Sequence, residues 1–249
     1  MSNTPTGATK IMVIRHAEKP DQYNGQQYNG VDLTGSTCGS DGAEDLVTLG
    51  WQRAGALVTL FAPPWGPKTS ASCPLATPQY LFAADPGDSG DTASSTPDAA
   101  QSSDPSQRPY ETLLPLSAML GSLKIETKYK KKDFKDMVKD AVGKPGVVLI
   151  CWQHEDIPLE DSSGDHGISY YILKETGTTA RFNIPTSWPV DSNGVARYDL
   201  VFVFDRASSG AGPVTGFTLG AQMLLAGDVA APQSTEIEVE RRRQSGAPA

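Results

Sequence analysis

The chain has 249 residues, 38% of them apolar, plus 24 glycines, a composition that can bury a core and excludes wholesale disorder. No stretch approaches the ~20 consecutive apolar residues needed to span a bilayer. The 21 Lys and Arg against 29 Asp and Glu give a net charge of −8, without the basic footprint of a duplex nucleic-acid binder, although a locally positive pocket for a small anion remains open.

The first buried strand is expected over residues 10–15, where Ile11, Val13 and Ile14 are β-branched and the flanks are polar. Residues 19–42, rich in Gly, Asn, Gln and Asp, read as a long loop. Leu46, Leu49, Ala54, Leu57, Leu60 and Phe61 then recur at helical spacing until Pro63-Pro64 stops the helix. A second strand is read over 77–83. Residues 85–107, a run of Asp, Ser, Pro, Gly and Thr, form a polar loop insertion with little to bury.

Arg108-Pro109 opens the next helix with proline at a tolerated first-turn position. Leu113, Leu116 and Leu120 are its apolar face and Gly121 its C-terminal cap, while Pro115 is expected to split it into two short helices. A strand at 123–127 and a lysine-bearing amphipathic helix at 133–142 follow, and Lys130-Lys131-Lys132 read as a solvated face. The strongest buried-strand signal spans 147–152. Late strands are expected at 198–205 and 214–219, and a polar, frayed tail over 231–249. Alternating strands and helices indicate one layered α/β domain over residues 1–230.

The amino end, Met1-Ser-Asn-Thr-Pro-Thr-Gly7, lacks the basic and apolar regions of a signal peptide. Cys38, Cys73 and Cys151 form no CxxC spacing, and their odd number suits reduced thiols in a cytoplasmic protein.

Three segments place ionisable side chains directly after buried elements: Arg15-His16-Ala17-Glu18 after the first strand, Arg108-Pro109-Tyr110-Glu111-Thr112 at a helix start, and His154-Glu155-Asp156 after the strand ending at Trp152. In open α/β sheets ligands bind beyond the carboxyl ends of the strands, so parallel strands would bring His16 and His154 to one edge. Guanidinium groups bind phosphate oxygens bidentately. A neutral imidazole with one nitrogen free attacks phosphorus in line, a second imidazole stabilises the transferring oxygens, and a carboxylic acid protonates the leaving alkoxide.

Val13-Ile14-Arg15-His16-Ala17-Glu18, Ser106-x-Arg108-x-x-Glu111-Thr112 and Leu149-Ile150-Cys151-Trp152-Gln153-His154, in this order, resemble the histidine phosphatase superfamily on its phosphoglycerate mutase-like side. With the Gly50-Trp51-Gln52-Arg53-Ala54 helix, Trp188-Pro189 and Phe202-Val203-Phe204-Asp205, the similarity covers roughly residues 10–220. The resemblance implies a three-layer α/β/α sandwich around a mostly parallel central sheet. It also implies a metal-independent phosphomonoesterase without cofactor that acts on a small phosphorylated molecule. His16 would carry the phosphoryl group, Arg15 and Arg108 would bind phosphate, and His154 would be the second imidazole. Glu155, which follows that histidine as an acid does in the acid phosphatase and phytase branch, is the candidate proton donor. Asp156 comes second, and a loop acid among Asp85, Asp88 and Asp91 is the mutase-like alternative.

Two positions depart from the family pattern. Ala17 replaces the commoner glycine, and Leu46-Val47-x-x-Gly50 lacks the usual threonine helix cap. A phosphotransferase on the same residues, or a catalytically silent binder of a phosphorylated ligand or protein, are the rival readings. His166 with Asp161 and Asp165 matches no trusted metal spacing and reads as surface, and Arg53 reads as an ion-pair residue.

Overall fold

The computed structural model describes residues 5–20, 22–23, 26–27, 30–31, 45–63, 74–86, 107–161 and 163–232. Its elements are β1 (Ala8–Arg15), β2 (Gln22–Tyr23), β3 (Gln26–Gln27), α1 (Thr48–Phe61), β4 (Tyr80–Ala83) and α2 (Arg108–Met119). They continue with β5 (Ile125–Glu126), α3 (Phe134–Gly143), β6 (Gly146–Trp152), α4 (Ile168–Glu175), β7 (Leu200–Arg206) and β8 (Val214–Ala221). Six strands form one sheet in the order β5-β4-β6-β1-β7-β8. The pairs β5–β4, β4–β6 and β6–β1 are parallel, whereas β7 and β8 add on antiparallel. The sheet is therefore mostly parallel, as expected, with an antiparallel edge.

Strand alternation builds the three layers. Ile11, Val13, Val148, Ile150 and Trp152 turn to one face, where they pack with Met137 and Val138 of α3 and Ile168 and Ile172 of α4. Met12, Ile14, Leu149 and Cys151 turn to the other, against Leu57 and Phe61 of α1 and Leu113 and Leu116 of α2. β1 and β6 are buried on both faces, which explains why their sequences are unbroken apolar runs.

The structure corrects one expected break. α2 runs unbroken from Arg108 to Met119 with Pro115 inside it. Proline removes only the bond to the Glu111 carbonyl, and Leu113 and Leu116 on either side are both held in the core. Gly121 follows its end at φ +76°, the backbone conformation that a glycine cap supplies. The expected long loop holds the small antiparallel ribbon of β2 and β3, and α4, which no sequence pattern announced, fills the second helical layer beside α3. Cys38, Cys73, Asp88, Asp91, Ser106 and the tail beyond residue 232 lie outside the described residues. No helix among the described residues is long and apolar enough to cross a membrane.

Candidate active site

Parallel pairing of β1 with β6 aligns Arg15 with Trp152, so the residues that follow each strand emerge together. The ladder continues one step further: the His16 N–H donates to the Trp152 carbonyl at 3.0 Å. α2 closes the turn from beneath. The Ala17 N–H donates to Thr112 Oγ1 (2.9 Å), and that hydroxyl donates in turn to the Arg108 carbonyl (2.7 Å). Glu111, beside it, accepts the Leu46 N–H at 2.8 Å and so ties the entry to α1 to the same helix.

α1 packs against the turn without a side-chain cap. Its N-cap residue is Val47, whose N–H donates to the Glu18 carbonyl (3.1 Å). The threonine cap that the sequence lacks has no side-chain substitute, and this backbone contact instead ties the start of α1 to the turn after β1. Gly50 permits the approach, because a Cβ there would stand 2.5 Å from Glu18 O. Glu18 meets Arg53, which also pairs with Asp228, with N–O distances of 2.8 Å in both pairs. Arg53 is therefore an ion-pair residue.

His16 is 3% exposed. Its Nδ1 donates to the Ala17 carbonyl at 2.7 Å, and since a carbonyl only accepts, the ring lone pair is left on Nε2. Burial first, and the charges of Arg15 and Arg108 next, hold its pKa well below the usual histidine range, so the ring is neutral at physiological pH. His154 lies within electrostatic reach as well.

Arg15 is buried with its guanidinium 3.6 Å above the Tyr198 ring. Its Nη1 donates to the carbonyls of Ala196 and Arg197, and its buried Nε has no hydrogen-bond partner among the described residues. Burial lowers its pKa to about 10, which leaves it charged at neutral pH. The first residue of α2, Arg108, acts electrostatically on both Arg15 and His16. A helix amino terminus, two guanidinium groups and a neutral imidazole thus converge, a set suited to an anion.

His154 opens the 3₁₀ turn His154–Asp156 beyond β6. Its Nδ1 lies 2.9 Å from Glu155 Oε2 but off the line of a hydrogen bond. Glu155 also meets Lys131 Nζ at 3.0 Å. Burial alone would raise the Glu155 carboxyl, but His154 and Lys131 outweigh it and hold the group ionised, well below the usual carboxylate range. Asp156 behaves oppositely: burial, with the Glu155 charge beside it, pushes it up to about 7. Both acids border a groove of about 700 Å³ that is also lined by Lys131, Lys135, His166 and Tyr171.

The structure therefore brings together Arg15, His16, Arg108 and His154, with Glu155 next to His154. Among the described residues no three His, Cys, Asp or Glu cluster as metal ligands, and His166 stacks on Tyr170 with ring centroids 3.6 Å apart. Sequence reasoning missed Tyr198, the support beneath Arg15, because only tertiary packing brings residue 198 to residue 15. It also missed the buried side chain of Gln153 between Trp152 and His154. No family model and no curated protein matches the sequence. Among solved structures the chain is similar to the crystal structure of SixA from Agrobacterium tumefaciens, provisionally named a phosphohistidine phosphatase, at 9% identity over 84% of this chain and 97% of that one, with a TM-score of 0.38.

Proposed function

We propose that the protein is a metal-independent phosphomonoester hydrolase that works through a phosphohistidine on His16 and acts on a small phosphorylated molecule in the cytoplasm. One observation carries the reading: the buried His16 ring is neutral, and its Nδ1 bond to the Ala17 carbonyl leaves Nε2 as the nucleophilic nitrogen. Arg15 and Arg108 hold the phosphoryl oxygens. Arg15 Nη1 is occupied by backbone, so the guanidinium would bind through its Nε edge. His154, positioned by Glu155, stabilises the transferring group. Nε2 forms a bond to phosphorus as the bond to the leaving oxygen breaks, and that oxygen takes a proton from the carboxyl pair Glu155 and Asp156. Of the two, Asp156 retains a proton near neutral pH and Glu155 does not. Water then hydrolyses the adduct.

The test is phosphate release from an aryl phosphate with chelator present, for the wild-type protein and for His16→Ala. The expected result is chelator-resistant turnover that falls about 10³-fold or more in the variant, with an acid-labile phosphoryl adduct on the wild type alone. Phosphoryl exchange between positions of one substrate without phosphate release would favour the transferase, and tight phosphate binding without turnover would favour the silent binder.

A further inference from the structure

We propose that Tyr198 is a positioning residue for the guanidinium of Arg15: its uncharged ring sets the plane of the group without neutralising it, a role that rests on the reading of Arg15 as a phosphate ligand. The Arg15 guanidinium carbon stands 3.6 Å from the centroid of the Tyr198 ring. The same ring is edge-on to His16, with centroids 6.2 Å apart and planes inclined by 62°. One side chain thus meets both members of the Arg15-His16 pair.

A guanidinium is a rigid plane, so fixing it takes contacts at both its edge and its face. The edge contacts set its rotation within the plane: Nη1 donates to the carbonyls of Ala196 and Arg197. A face contact sets the tilt, and Tyr198, the next residue, supplies it. Three consecutive residues therefore hold the group and leave the side away from those carbonyls for a ligand. The three are themselves held. Val190 bridges to Ala196 across a turn in which Asp191 Oδ1 accepts the N–H groups of Asn193 and Val195 at 2.8 and 2.9 Å. Trp188 Nε1 donates to the Arg197 carbonyl at 2.7 Å, and its ring is edge-on to His154, with centroids 6.3 Å apart. Gln222 Nε2 donates to the Tyr198 carbonyl at 3.3 Å. The place of the ring is thus set by the protein alone.

Charge explains why the support is an aromatic ring. Buried cations are as a rule paired with a carboxylate. Arg15 nevertheless makes no ion pair among the described residues: Glu18 and Glu155, whose charges reach it, are committed to Arg53 and to Lys131. A carboxylate in place of Tyr198 would hold the guanidinium as firmly, but it would cancel the charge and compete with a phosphoryl group for the same N–H donors. The face of an aromatic ring attracts a cation through its quadrupole and carries no net charge. The positive charge of Arg15 is therefore kept for an anion.

The experiment is calorimetric titration with inorganic phosphate, beside rapid-quench kinetics with an aryl phosphate, on wild type, Tyr198→Phe, Tyr198→Leu and Tyr198→pentafluorophenylalanine. The last keeps the ring and its stacking area but reverses the quadrupole, so it decides the matter should the leucine variant not fold. The phenylalanine variant should bind phosphate within about threefold of wild type, and the leucine and pentafluoro variants about 10- to 30-fold more weakly. Wild-type affinity in the leucine and pentafluoro variants overturns the role. So does a phenylalanine variant as weak as leucine, which would assign the effect to the hydroxyl. A pentafluoro variant equal to phenylalanine would reduce the ring to packing and overturn it too. If wild type binds no phosphate, Arg15 is no phosphate ligand and the role falls with it. If wild type binds phosphate but forms no adduct on His16, the phosphohistidine reading falls and the titration still decides Tyr198. If wild type forms the adduct and every variant binds phosphate equally, only the role of Tyr198 falls.

Discussion

The protonation states around His16 set the pH behaviour. Because burial and two arginines keep its pKa well below 6.5, His16 as the proposed nucleophile creates no acid limb near that pH. In the proposed mechanism Asp156 sets the other limb. With a pKa of about 7 it holds the donated proton below that value, so activity falls as pH rises through 7. Asp156→Asn should abolish this alkaline limb in a pH–rate profile, whereas Glu155→Gln, which removes the partner of His154, should lower kcat about 10²-fold at every pH. Asp156 also links stability to pH. Its folded pKa exceeds the ordinary 3.8, so the folded state binds the extra proton and stability declines as pH rises from about 4 to about 7. Asp156→Asn should therefore melt roughly 2–4 °C or more above wild type at pH 8 and show little gain at pH 4, as read by thermal unfolding at the two values.

At the scale of elements, the site depends on how closely α1 and α2 approach the turn after β1. Gly50→Ala forces a methyl group against the Glu18 carbonyl, 2.5 Å from where it would stand. We expect a loss of about 1–3 kcal/mol by chemical denaturation and lowered turnover, since the displaced turn carries His16. Thr112→Val leaves the buried Ala17 N–H without its acceptor and should cost about 1–3 kcal/mol. The strands and the turns that bear Arg15, His16 and His154 were legible in the sequence because β1 and β6 are apolar runs whose polar ends are abrupt. Arg108 was legible because proline marks a helix start. Other features were not legible, for physical reasons. α4 is eight residues long, too short for its periodicity to stand out. Pro115 is tolerated because packing on both of its sides outweighs one lost hydrogen bond. Tyr198 meets Arg15 only through the pairing of β7 with β1.

For the whole molecule, the far end of the chain is fastened to its beginning by buried charges. Arg53 joins Glu18 to Asp228, and Arg197 pairs with Asp199 while donating to the carbonyls of Val229 and Ala230. Arg53→Met strands two carboxylates and should cost about 3–5 kcal/mol, with little dependence on salt because the groups are shielded from it. Urea unfolding at low and high ionic strength checks both parts.

The sheet order has a consequence for biosynthesis. β1 leaves the ribosome before either of its neighbours, since Met12 pairs with Leu149 on one side and with Val203 on the other. This apolar segment must therefore wait until residues 146–152 have been made for its first partner, and until β7 for its second. Such remote pairing slows folding, and an exposed apolar strand invites association between nascent chains. Since β6 and β7 must both be present before Arg15 and His16 acquire their surroundings, a chain terminated before β7 would lack the candidate site and leave β1 open to aggregation.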